Sequence, residues 1–136
     1  MIAAVCTWHE HHDVATEEIS NRLNRGEPLV AAAPALVEAY AVLTRLPAPH
    51  RLKPDDAWTL LKTNFVESAR VVALPNSAYV KLLDALAKQS IGGGRTYDAV
   101  IAECGRQAAV GSIVTLNRRH FDPPPPEISV IDPSER

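Results

Sequence analysis

Short apolar runs alternate along the chain with longer stretches in which apolar residues keep helical spacing. From Ala35 to about Leu46 the apolar positions Leu36, Ala39, Tyr40 and Leu43 follow i, i+3, i+4, i+7, one face of a helix. Pro34 suits its first turn, and Pro47 and Pro49 end it. Asp13 through Leu23 reads as another amphipathic helix, with Val14, Ile19 and Leu23 on one side and Asn24, Gly26 and Pro28 breaking it. Lys53-Pro54-Asp55-Asp56 opens a helix to about Phe65, because acids in a first turn complement the helix dipole. Asn76 or Ser77 is predicted to cap a helix ending near Gln89. After the flexible Gly92-Gly93-Gly94 turn, Thr96 is predicted to cap a last one from Tyr97 to Ala109, which Gly111 ends.

The short runs read as strands: Leu29 to Ala32, Arg70 to Leu74, Ser112 to Leu116 and Ile128 to Ile131. Ile2 to Val5 fits either the tail of a strand or the start of a helix. Pro123 to Pro126 has no backbone donors and must be extended or polyproline II. Strands alternating with helices predict an α/β domain with a mainly parallel central sheet flanked by helices. Sites in such sheets form at the carboxyl ends of strands. No repeat or second domain is evident, so one domain is expected over residues 1–136.

Composition narrows the function. At 46% hydrophobic, the chain is not disordered. A net charge of -2 excludes a polyanion binder as a whole, so nucleic-acid contact requires a local basic patch. Cys6 and Cys104 lie in apolar stretches without a CxxC, which argues against a disulfide framework or a cysteine zinc site. Cys104 reads as a small hydrophobe, not a nucleophile. No run reaches the roughly 18 apolar residues of a membrane span, and the apolar start is too short for a signal peptide. A cytoplasmic protein with no membrane partner is the expectation.

Three stretches carry chemistry. Glu38 is the only charge between Ala35 and Leu43, and its i+3 and i+4 neighbours are Ala41 and Val42. Such a carboxylate either points to solvent or sits in a cleft. Asp98 follows a triple glycine and Arg95, and opens an apolar helix. Its plain reading is a first-turn acid on a helix dipole. In the third stretch the apolar run Ile113-Val114 empties into Thr115, Asn117, Arg118, Arg119 and His120. Thr115 and Asn117 offer oxygen ligands or hydrogen bonds, and the arginines suit phosphate; the plain alternative is a solvated turn. Carboxylates gathered at one end of a sheet need a neutralising cation, and Mg²⁺ or Mn²⁺ would suit hydrolysis of a phosphodiester.

Other features carry less. His9 and His12 would share a face if their segment were helical, but further metal ligands are lacking at local spacing. The triple glycine is not a nucleotide-binding motif. The proline run reads as a stiff connector. Trp8, Trp58, Tyr40, Tyr79 and Tyr97 read mostly as core or partner-surface residues. Aromatic and basic residues interleave too sparsely along the sequence for a single-strand platform. Arg45, Arg51, Arg95, Arg118 and Arg119 are the expected contacts if RNA is bound.

Three segments taken in order resemble VapC-type PIN domains: Leu36-Val37-Glu38-Ala39-Tyr40-x-Val42-Leu43-Thr44-Arg45-Leu46, Gly93-Gly94-Arg95-x-Tyr97-Asp98-Ala99-x-Ile101-Ala102, and Thr115-Leu116-Asn117-Arg118-Arg119-His120-Phe121. The resemblance covers nearly the whole chain. It implies a PIN-like three-layer fold and a ribonuclease, the toxin of a type II toxin–antitoxin pair, using Mg²⁺ or Mn²⁺ held by acids. It further implies an antitoxin partner and a homodimer. Glu38 matches the family's second acid and Asp98 the third. Asn117 and His120 stand in the loop that carries the fourth, and neither is an acid; Asp122 lies one residue beyond Phe121.

The family's first acid ends an initial strand that this sequence does not include. A misplaced start or a truncated chain explains that better than natural loss, and weak or no activity is the expectation. Two alternatives stand beside the ribonuclease reading. One is a catalytically impaired module that binds its antitoxin without cleaving RNA. The other, a DNA-directed or flap-type nuclease, shares the metal chemistry but fits the small size poorly.

Overall fold

The structure is a computed structural model that describes residues 1–136. It is α/β, with six α-helices and four short strands. Two compact units divide the chain, Met1–Val71 and Val72–Arg136.

The first unit holds α1 (Ile2–Val5), α2 (His12–Asn24), β1 (Val30–Ala32), α3 (Ala33–Arg45) and α4 (Pro54–Phe65), and it ends within β2 (Arg70–Val72), after Val71. Ile2 to Val5 is therefore a helix, not a strand tail. β1 passes straight into α3, where Pro34 takes a first-turn position. β1 and β2 form a two-stranded sheet. The helix face read from spacing is the one that packs: Leu36, Ala39 and Leu43 are buried on α3. Ala57, Leu61 and Phe65 meet them from α4 in one hydrophobic cluster.

α2 keeps its expected pattern only in part: Ile19 packs against that cluster and Val14 is half-buried. Its buried positions are Ala15 and Glu18, while Leu23 is exposed. Glu18 tolerates burial because the Arg22 guanidinium donates to it at 2.6 Å, one helical turn on.

The second unit holds α5 (Asn76–Lys88), α6 (Arg95–Gln107), β3 (Ser112–Val114) and β4 (Ser129–Ile131). β3 and β4 pair in parallel, with Ser112 opposite Ser129, Ile113 opposite Val130 and Val114 opposite Ile131. The Thr115 N–H extends the ladder to the Ile131 carbonyl at 2.9 Å. The strands are thus shorter than the apolar runs, and they form two two-stranded sheets. α6 comes close to β3 through Gly105. A Cβ there would stand 3.1 Å from Val110 Cγ2 and 3.8 Å from Ile113 Cδ1.

Both predicted caps are corrected. Gly94 enters α6 already in the right-handed helical region, so Thr96 lies inside the helix and caps nothing. An N-cap side chain needs an extended backbone at the residue that carries it. At α5 that extended position belongs to Pro75, which has no side-chain oxygen, and Asn76 is the first helical residue.

Candidate functional site

Asp98 stands in the first turn of α6. Its Oδ2 lies 3.0 Å from Nδ1 of His120, which belongs to a 3₁₀ turn, Arg118–Phe121, packed on α6. That turn follows the carboxyl end of β3. Phe121 anchors it by burying its ring. Arg95, one turn before Asp98, donates from Nη2 to the Asp122 carbonyl at 2.8 Å and ties the helix start to the loop end. The Thr115 hydroxyl accepts the Asn117 N–H at 3.0 Å, which turns the chain out of the strand. Arg118 pairs with Glu135 at 3.1 Å, and Arg119 is exposed. The strand-end loop and the Asp98 turn, separate in sequence, therefore meet in one place.

Glu38 belongs to the first unit. It lies on the exposed side of α3, opposite the buried Leu36, Ala39 and Leu43. No helical neighbour pairs with it, as its spacing required. A charge from another element does act on it: the Met1 ammonium lies close enough to feel both Cys6 and Glu38. Burial holds that ammonium below its ordinary value, and the two acidic groups oppose the shift.

The histidines after α1 are used locally. The His11 N–H donates to Nδ1 of His9 at 3.1 Å. His12 Nδ1 sits 2.8 Å from the Ala3 carbonyl. His9 and His12 are a turn apart, not stacked on a helix face, because α2 begins only at His12. Both cysteines are buried and free, and burial pushes both thiols up. The aromatics expected in a core or on a partner surface, Trp8, Trp58, Tyr40, Tyr79 and Tyr97, are all exposed to a third or more. Sequence spacing missed two pairings, Asp98 with His120 and Trp8 with His50. Only the fold brings those loops together.

The donors fit a hard divalent ion by chemistry, being carboxylate and amide oxygens. Mg²⁺ takes one or two protein carboxylates and keeps several waters. No group of three or more His, Cys, Asp or Glu side chains is placed to hold a metal. No helix is long and apolar enough to cross a membrane.

The chain is α/β, with an acid-bearing helix start against a polar strand-end loop, and comparison with known proteins gives its family. The chain is 40% identical over 119 residues to Ribonuclease VapC40 of Mycobacterium tuberculosis, in strains CDC 1551 / Oshkosh and ATCC 25618 / H37Rv. That alignment covers 88% of this chain and 82% of the relative. Ribonuclease VapC27 of strain ATCC 25618 / H37Rv is 36% identical over 100 residues, 74% of this chain and 60% of the relative. No protein-family model matches. The chain belongs to the VapC ribonuclease family.

Proposed function

We propose that this chain is a metal-dependent endoribonuclease and the toxin of a type II toxin–antitoxin pair, folded over residues 1–136 as one PIN-like, three-layer domain. Family membership supports the reading. The observation that carries it is the contact of Asp98 with the His120 loop, which brings a carboxylate and an imidazole from two separate elements within 3.0 Å of each other just past the carboxyl end of β3. Glu38 and Asp98 would hold Mg²⁺ or Mn²⁺. When bound, such an ion neutralises phosphate charge and lowers the pKa of water. Asn117 orients a water molecule through its amide and supplies no charge. Thr115 and His120 contact the substrate beside Asp98. Arg95, Arg118 and Arg119 bind the RNA backbone, with Arg95 pre-set by its bond to the Asp122 carbonyl. The partners in this reading are an RNA substrate, a cognate antitoxin and a second copy of the chain, all in the cytoplasm.

The test is cleavage of single-stranded RNA by the full chain across a Mn²⁺ titration. Weak cleavage with saturable metal dependence is expected, with Glu38→Gln and Asp98→Asn each reducing it to background. Cleavage that ignores both substitutions would sink the reading. No cleavage alongside intact antitoxin binding would instead establish the impaired-module alternative.

A further inference from the structure

Trp8 and His50 come from different loops and form a stack. Their ring centroids are 4.1 Å apart and their planes differ by 25°. Trp8 stands between α1 and α2, and His50 between α3 and α4. The second loop folds back onto the end of α3. The Leu52 N–H donates to the Leu43 carbonyl at 3.0 Å, and Arg51 Nε donates to the Leu46 carbonyl at 2.8 Å. The stack therefore sits at the carboxyl end of the helix that carries Glu38. His9 extends the aromatic surface, its ring 6.0 Å from Trp8.

Packing does not account for this arrangement. Trp8 remains 46% exposed and takes no part in the hydrophobic cluster of the unit. A tryptophan recruited for stability would bury more of its large apolar surface. Cations and acids both stand in the adjoining segments, with Asp55 and Asp56 exposed in the first turn of α4 just beyond the His50 loop. Arg45 and Arg51 are exposed, and Glu10, 3.5 Å from His11, is the acid of the adjoining loop. Along α3, Glu38, Ala41 and Arg45 share one exposed face at i, i+3 and i+7. Glu38 to Arg45 covers about 10 Å at the α-helical rise. A small alanine between them leaves that track open.

We propose that the Trp8–His50 stack, with Arg45 and Arg51, is a base-stacking subsite for single-stranded RNA lying along the exposed face of α3. The proposal rests on the ribonuclease reading and adds a location for the strand beyond the Glu38 position. Unpaired bases stack on flat aromatic and guanidinium groups without regard to sequence, and cations hold the backbone beside them. Double-stranded RNA keeps its bases paired and gains nothing from the stack.

The experiment uses the full chain carrying Trp58→Phe, which leaves Trp8 as its one tryptophan. A short oligoadenylate is titrated in EDTA, so that cleavage and metal play no part. Saturable quenching of Trp8 is expected. In fluorescence polarisation, Trp8→Ala should weaken binding roughly 5- to 150-fold, while Trp8→Phe keeps most of the affinity. His50→Ala should weaken it in the same direction. RNA should also shield Trp8 from acrylamide, a readout that needs no change at the stack. Absent quenching and shielding, or equal affinity for duplex RNA, overturns the proposal. Stacking that persists in a chain with no Mn²⁺-dependent cleavage overturns the ribonuclease reading instead. Cleavage that responds to Glu38→Gln without any stacking overturns this subsite alone.

Discussion

His120 Nδ1 lies 3.0 Å from Asp98 Oδ2, and so one of the two carboxylates proposed as metal ligands already has a partner. The His120 side chain is half exposed and that of Asp98 is 22% exposed, which makes this a surface pair of modest strength. A divalent ion at Asp98 has to share the carboxylate with the imidazole or displace it. His120→Ala should therefore tighten Mn²⁺ binding, by up to about fivefold for a pair of this kind. Isothermal titration of Mn²⁺ into both proteins decides it. Weaker binding in the variant would mean that His120 positions Asp98 and does not compete for it.

The core of the first unit makes a second prediction. Leu43 on α3 and Leu61 on α4 are fully buried in one cluster. Truncating either to alanine removes apolar transfer energy and leaves a cavity, at a cost of about 2–5 kcal/mol. Both tryptophans, Trp8 and Trp58, lie in this unit, so their fluorescence reports its unfolding directly. The urea midpoint should fall sharply for Leu43→Ala and Leu61→Ala. Val37→Ala, on the exposed side of α3, should shift it little, since surface changes stay within about 0.5 kcal/mol. Equal losses at all three positions would contradict the packing described.

How much of this was legible in the sequence follows from what periodicity reports. Spacing records which side of an element is buried. The α3 face at Leu36, Ala39 and Leu43 was therefore readable, as was the exposed Glu38 opposite. Proline and glycine placed the element ends to within a few residues. Spacing carries no information on which loops fold against each other. The Asp98–His120 and Trp8–His50 contacts were invisible for that reason, and the sparse interleaving of aromatic and basic residues concealed an aromatic surface. The caps failed for a local reason. Thr96 has a capping side chain, but Gly94 had already turned helical before it.

Stability should also fall in acid through two exposed ion-pair clusters. Glu27 is held below its ordinary value of 4.5, first by the hydrogen bond from Arg25 and further by Arg22, with burial opposing. Glu103 is lowered in the same way by Arg106, which donates from Nε and Nη2 at 2.8 and 2.6 Å. A carboxylate with a depressed folded pKa stabilises the fold at pH above its ordinary value. That contribution is lost as pH drops below 4.5 and through the folded value. Urea midpoints measured downward from neutral pH should decline over this window. The decline should be shallower in Glu27→Gln and Glu103→Gln. An unchanged slope in both variants would assign the acid limb to other groups.

The two thiols predict the opposite limb. Burial raises Cys6 and Cys104 above their ordinary 9.0, with the Glu103 charge adding to the shift at Cys104 and the amino terminus opposing it at Cys6. The folded chain then keeps its thiol protons at a pH where the unfolded chain releases them. With more protons bound in the folded state, stability falls as pH rises past 9.0 and goes on falling until the folded thiols ionise. Tyrosine and lysine also titrate in that range, so the informative quantity is a difference between two proteins. Urea midpoints of the parent chain and of Cys6→Ala/Cys104→Ala, compared at neutral pH and above 9.0, isolate the thiols. The double variant should start less stable, because buried side chains are trimmed, and lose less on going alkaline. In the folded parent both thiols should also react slowly with iodoacetamide near neutral pH, since the thiolate is the nucleophile and burial suppresses it. Rapid labelling of either cysteine without urea would show that its surroundings open far more readily than this packing allows.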